Sequence, residues 1–192
     1  MIGQLRSAPN LLTLLRLIFV PFAVIAVLGG HYGWALAIFI IAGISDGLDG
    51  LLARLMEQQT TLGQYLDPIA DKLLLSTMFL VLSSVGEIKW WVTVLVFSRD
   101  TIIVIVCTLL YVTGAMKVFR PSWLGKANTV AQILTVLLVL LHKVSGDRWI
   151  AIGTRWGIRF IVALTILSGV HYLVRVAFAL RGAGTKSPES GS

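Results

Sequence analysis

The segment SDGLDGLLARLMEQQTTLGQYLDPIADK, residues 45–72, decides how this chain is read. It holds Asp46, Asp49, Asp67 and Asp71, four of only nine acidic residues in a chain of 192 that is 57% hydrophobic. Carboxylates gathered in so apolar a sequence need a partner, because an isolated charge in a low-dielectric phase is strongly disfavoured.

The surroundings of this segment set the solvent. A mean hydropathy of +0.88 with 13% charged residues excludes an ordinary soluble domain. Apolar runs of about 20 residues, enough to cross a hydrocarbon core of ~30 Å, recur along the chain. The expected fold is all-α: a polytopic membrane protein built as a bundle of six transmembrane helices. The spans fall near residues 11–28, 34–56, 63–84, 90–112, 123–141 and 156–180, with no internal repeat. Residues 1–7 are expected to form a short interfacial helix, residues 1–182 one membrane domain, and residues 183–192 a disordered tail. The first apolar run carries Arg16, is too long for a signal peptide and lacks a small-residue cleavage site, so it is read as retained. The lone Cys107 lies in an apolar segment, which excludes an intramolecular disulfide and suits a buried small side chain.

Six spans put both termini on one side. Arg6, Arg54, Lys117, Arg120, Lys126, Arg181 and Lys186 would share that side, so it is the cytoplasmic one, in a bacterial inner membrane or an equivalent organelle membrane. Lys143, Arg148 and Arg155, with Asp147, are expected in the outer loop between the fifth and sixth spans. The net charge of +7 is better explained by basic span ends facing anionic headgroups than by nucleic acid. Trp90, Trp91, Trp149 and Trp156 fit an aromatic belt. His31, His142 and His171 lie near span ends without metal-ligand spacing.

Within the opening segment, Asp46, Asp49, Gly50 and Ala53 follow one another at i, i+3, i+4 and i+7, one face of a helix, and Asp67 and Asp71 share a face of the next. Asp46 lies ~12 Å along the axis from Arg54. A carboxylate at that depth costs at least ~2.5–3.5 kcal/mol and calls for a cavity and a partner. Bland roles exist: Asp67 before Pro68 reads as a helix N-cap, and Asp46 could pair with Arg54 or Arg16. Four carboxylates against one local arginine are not neutralised by pairing, and like charges raise each other's pKa. All-oxygen donors without His or Cys suit two hard divalent cations, Mg²⁺, Mn²⁺ or Ca²⁺. Gly50 and Gly63 leave room for close approach to the backbone. Metals beside an arginine at a membrane face are what diphosphate chemistry requires.

The stretch D-G-L-D-G-L-L-A-R, eight residues, then G-Q-Y-L-D-P-I-A-D, resembles the signature D-x-x-D-G-x-x-A-R-x8-G-x-x-x-D-x-x-x-D of the CDP-alcohol phosphatidyltransferases, with every fixed position filled. The six-span layout and the opening PNLLTLLR extend the resemblance over nearly the whole chain. The resemblance implies transfer of a phosphatidyl group from CDP-diacylglycerol to an alcohol, with release of CMP, at a site open to the cytoplasmic half of the bilayer. It implies that Asp46, Asp49, Asp67 and Asp71 hold two Mg²⁺ or Mn²⁺ ions, with Ca²⁺ a non-productive occupant. Asp71 would also be the catalytic base. Gly50, Ala53, Arg54 and Gly63 would bind the CDP-lipid, and a homodimer is expected.

For the acceptor, the resemblance points two ways. Users of glycerol 3-phosphate resemble R-E with a second Arg eight residues on, and G-K-x-K-T in the next span. Here Arg99 precedes Asp100, Cys107 stands in the second position, and Asn128 replaces the later Lys. Two cations for a phosphate monoester are missing, so phosphatidylglycerol, giving cardiolipin, is the expected acceptor and glycerol 3-phosphate the alternative. Arg99, Lys126, Asn128 and Arg120 are the candidate acceptor residues. Arg99–Asp100 could equally be a structural ion pair, and Lys126 could snorkel to headgroups. A divalent-cation transporter is the competing class, disfavoured by the adjacent Arg54 and the absence of inverted repeats.

Overall fold

A computed structural model describes the backbone of residues 8–55, 61–112 and 123–184, and side chains within 17–45, 72–105, 123–172 and 174. Among the described residues it is all-helical, with six helices: α1 (Ala8–Leu28), α2 (Tyr32–Leu55), α3 (Thr61–Ser84), α4 (Trp90–Val112), α5 (Trp123–Ser145) and α6 (Arg148–Gly184). Two of them, α5 and α6 over Arg148–Tyr172, are long and apolar enough to cross a membrane. The expected interfacial helix over residues 1–7 lies outside the described residues.

Small residues set the core. Ala23, Ala26 and Val27 of α1 are buried against Ala35, Phe39 and Ala42 of α2 and Phe79 and Leu82 of α3. Alanines on facing helices let backbones approach closely, which is how apolar helices gain packing contacts. Two helix ends close in the same way. After α1, Gly30 (φ 73°) lets His31 N donate to Ala26 O (2.8 Å) and Gly30 N to Val27 O (3.0 Å). After α3, Gly86 (φ 82°) lets Glu87 N donate to Leu82 O (2.9 Å) and Gly86 N to Ser83 O (3.1 Å). Both are Schellman closures, which need a left-handed residue.

Three sequence expectations change. α3 begins at Thr61, so Asp67 lies inside a helix and is not its N-cap. Pro68 is carried within the helix, where its missing N–H leaves one carbonyl of the preceding turn free. α6 begins at Arg148, not near 156, because Asp147 caps it: its Oδ1 accepts from Trp149 N at 2.9 Å. Arg148 and Arg155 are therefore helical and the loop shrinks to Gly146 and Asp147, while Lys143 lies on α5. The same helix continues to Gly184, past the expected tail boundary at 183; residues 185–192 are outside the described residues.

The α5–α6 pair is the longest packed seam. Gly157 faces Leu138, and Thr154 Oγ1 donates to Leu138 O (3.1 Å) as well as to Ile150 O (2.9 Å). A Cβ at Gly157 would stand 3.3 Å from Leu138 Cδ1. Gly157→Leu is therefore expected to push the helices apart and cost about 1–3 kcal/mol, read as a lowered thermal midpoint in detergent. Gly33→Ala, with nothing within 4 Å of the added Cβ, should be neutral or slightly stabilising; equal losses in both variants would count against the close seam.

Candidate active site

The backbone puts the aspartates on two helices at one end of the bundle. Asp46 and Asp49 sit in the last turns of α2 and Asp67 and Asp71 in the first turns of α3, on either side of residues 56–60. Gly50, Ala53 and Arg54 follow on α2, and Gly63 opens α3. The side chains of all eight, like those of Arg16 and Cys107, lie outside the described residues, as does the whole of Arg120.

One residue beyond Asp71 the description resumes, with a charged cluster. Lys72 Nζ of α3 pairs with Asp100 Oδ2 of α4, and Arg99 Nη1 donates to Asp100 Oδ1 at 2.7 Å. Arg99 Nη2 also donates to Ser168 Oγ of α6. Arg99 and Asp100 are nearly buried, 9% and 12% exposed, whereas Lys72 is 39% exposed. Among the described residues, two positive charges meet one carboxylate here. Arg99 Nε is buried without a hydrogen-bond partner among the described residues.

Asn128 and Gln132, one turn apart on α5, extend this polar interior. Thr165 Oγ1 of α6 donates to Asn128 Oδ1 at 3.0 Å, and Asn128 Nδ2, like Gln132 Nε2, is a buried donor without a partner among the described residues. Arg99 and Thr165 border a cavity of about 280 Å³ between α4 and α6 whose lining is mainly apolar, with Leu95, Ile102, Ile103, Ile166 and Val170. On the other side, α2, α3 and α5 enclose an apolar cavity of about 340 Å³ lined by Phe39, Ile44, Leu75 and Ile133. It starts two residues from Asp46 and three from Asp71, since Ile44 and Leu74 both line it.

Of the candidate acceptor residues, the structure joins Arg99 to Asp100 and leaves Lys126 apart. Lys126 is exposed, with Nζ 6.0 Å from the Trp123 ring centroid. Asn128 bonds Thr165, which shares the Arg99 cavity. Lys72, Ser168, Thr165 and Gln132 were missed by the sequence reading. Lys72 had a signal, its place directly after the last signature aspartate; the others had none, because their role depends on how α4, α5 and α6 meet. His31 and His171 are exposed and His142 half-buried, and no metal-binding group forms among the described residues.

The chain matches the CDP-alcohol phosphatidyltransferase family over residues 6–180. Among its relatives, a Mycobacterium tuberculosis protein named provisionally as a phosphatidylglycerophosphate synthase is 36% identical over 188 residues, covering 95% of this chain and 86% of the relative. A second, from Mycobacterium bovis and named provisionally as a cardiolipin synthase, is 34% identical over 142 residues, 73% of this chain and 68% of the relative. A Salmonella choleraesuis protein named CDP-diacylglycerol–glycerol-3-phosphate 3-phosphatidyltransferase is 37% identical over 141 residues, 70% of this chain and 76% of the relative. This chain belongs to the CDP-alcohol phosphatidyltransferase family. It is a phosphatidyltransferase of phospholipid biosynthesis, and the cation-transporter reading is set aside.

The Lys72–Asp100–Arg99 cluster sets a stability test. Asp100→Ala leaves two cations facing each other, one of them nearly buried, and should cost about 3 kcal/mol. Lys72→Met, which leaves Arg99–Asp100 intact and removes a partly exposed charge, should cost less than ~1 kcal/mol. The check is thermal unfolding of both in one detergent; a larger loss for Lys72→Met would show that Asp100 is not the centre of the cluster.

Proposed function

We propose that this chain is a multi-pass membrane enzyme that transfers the phosphatidyl group of CDP-diacylglycerol to glycerol 3-phosphate, making phosphatidylglycerophosphate and releasing CMP. The observation that carries the acceptor is Lys72. Counting Cys107 and Asn128 as missing cations led to phosphatidylglycerol as the expected acceptor, but that count left out the lysine that meets Asp100 beside Arg99. A site where two cations meet one carboxylate, with an Arg99 Nε donor unpartnered among the described residues, suits a dianionic phosphate monoester better than the singly charged phosphodiester of phosphatidylglycerol. Relatives covering most of the chain carry names for the same acceptor, so the cardiolipin reading gives way to the alternative.

The donor side rests on the aspartates. Asp46, Asp49, Asp67 and Asp71 offer only hard oxygen donors, one helical turn apart on each of two helices, and this set fits two Mg²⁺ or Mn²⁺ ions. Such ions, when bound, neutralise the diphosphate and favour departure of CMP. In this reading Asp71 would take the proton of the acceptor hydroxyl and Arg54 would hold the diphosphate bidentately. Gly50, Ala53 and Gly63 leave space for the nucleotide. The apolar cavity beginning beside Ile44 and Leu74 suits an acyl chain of the donor. Asn128, which accepts from Thr165, would line the acceptor side, and Lys126 and Arg120 stay candidates on the sequence alone.

The exterior supports the membrane reading. Ile25, Trp34, Ile44, Val94, Leu134, Phe160 and Leu167 are each more than half exposed, a surface that water would not tolerate but lipid would. Six crossings with the aspartate turns toward the cytoplasm, and a homodimer, complete the proposal.

A paired assay tests the acceptor: purified enzyme with CDP-diacylglycerol receives glycerol 3-phosphate or phosphatidylglycerol at equal concentration. Phosphatidylglycerophosphate is expected at least about tenfold faster than cardiolipin, a difference of ~1.4 kcal/mol; cardiolipin alone would overturn the assignment. Lys72→Met should raise KM for glycerol 3-phosphate several-fold and leave that for CDP-diacylglycerol within about twofold. Excess chelator, or Asp46→Ala or Asp67→Ala in protein that still inserts, should abolish CMP release. Full turnover in chelator would sink the metal assignment.

A further inference from the structure

Arg148, Arg155 and Arg159 on α6 are all exposed. At about 100° per residue they fall within about 20° of one line along the helix. Trp149, Trp156 and Phe160, 80%, 63% and 61% exposed, form a second line about 100° round the helix from the first. Thr154, Ile161, Thr165 and Ser168 are buried and mark the bundle side. The arginine line lies about 130° round the helix from that side, and with all three arginines exposed it faces away from the bundle.

The depth of these arginines follows from the α5–α6 seam. Gly157 faces Leu138 and Thr135, and Thr154 meets the Leu138 carbonyl. Arg155 and Arg159 are therefore level with the middle of α5, whose outward residues there, Leu134 and Leu141, are apolar and 53% and 39% exposed. Neither guanidinium has a carboxylate within ion-pair distance among the described residues. Outward-facing charges at the level of an apolar belt need an anion from outside the chain.

The acids of the chain cannot readily supply it through a second copy. Of the nine, four sit on the signature turns at the other end. Asp100 is held by Lys72 and Arg99, Glu87 is paired with Lys143 at 2.8 Å, and Asp147 caps α6. Glu57 and Glu189 follow, in sequence, the far ends of α2 and α6. Arginine suits a phosphate instead: its planar fork binds two oxygens at once. The Arg159 guanidinium lies 5.1 Å from the Trp156 ring centroid, within cation–π range. Tryptophan beside it favours the headgroup region, and the apolar flanks suit acyl chains.

We propose that Arg155, Arg159 and Trp156 form a lipid-facing site for the phosphate of an acidic phospholipid, in the leaflet opposite the aspartate turns. The site is separate from the reaction centre and rests on the multi-pass membrane reading above. It would tie the long α6 to anionic bilayers and draw a lipid phosphate below its usual depth.

The test compares the full chain with Arg155→Gln/Arg159→Gln in nanodiscs of phosphatidylcholine alone and with 30% phosphatidylserine, about a third of the lipid, as in strongly anionic membranes. The wild type should melt several degrees higher in the acidic discs. The double variant should lose at least half of that difference while keeping its midpoint in phosphatidylcholine and its CMP release. Arg155→Lys/Arg159→Lys should retain part of the difference, since charge remains without the fork. An undiminished acidic-lipid shift in the Gln variant overturns the site. So does a switch of the Gln variant from dimer to monomer by native mass with lipid retention unchanged, because a second copy would then be the occupant. If the Gln variant does not fold, the same comparison on Arg159→Gln alone decides. Recovery of the wild type in the supernatant after alkaline extraction without detergent would instead refute the membrane reading, a result independent of the lipid comparison.

Discussion

A carboxylate inside an apolar bundle must be balanced where it stands, and in this chain Asp100 shows how. Its oxygens are shared between Arg99 beside it and Lys72 from another helix, and Arg99 is fixed in turn by Ser168. One charge thereby ties α3, α4 and α6 together at the level where the signature aspartates end. Among the described residues two cations thus answer one acid, and the Arg99 end of the cluster borders the cavity between α4 and α6.

Helix placement was largely legible from sequence because apolar run length and glycine punctuation act locally. The turns at Gly30 and Gly86 fall where the runs of α1 and α3 stop. The boundaries that sequence misplaced are those set by other forces. Pro68 looks like a helix start, yet α3 extends seven residues before it. The sixth span is expected to begin near residue 156, yet α6 begins at Arg148 and carries Gly153 and Gly157 within it, Leu138 packing beside Gly157. In both places a local preference yields to packing or to a longer helix.

The reaction class was legible in the signature because fixed spacing on two helices constrains chemistry tightly. The acceptor was not, because it depends on charges brought together from separate helices. Lys72 is 28 residues from Asp100 in sequence, and no periodicity links them. Counting cations along the chain leaves out Lys72, whose place beside Asp100 and Arg99 only the packing of α3 against α4 reveals.

The same distinction separates polar residues that merely tolerate the bundle from those that await a ligand. Thr135 donates to Ala131 O at 2.7 Å and Thr154 to Ile150 O at 2.9 Å, each closing its hydrogen bond on its own helix. A threonine needs no neighbour to be satisfied in an apolar interior. An amide carries two N–H donors besides its acceptor oxygen, too many for its own turn to satisfy. Asn128 accepts from Thr165 through its oxygen, and among the described residues Asn128 Nδ2 and Gln132 Nε2, one turn further in, have no partner. A buried amide donor is costly to leave unmade, and both amides stand on α5 beside the helix that carries Thr165 and Ser168, so that cost falls on one side of the bundle rather than on the whole of it.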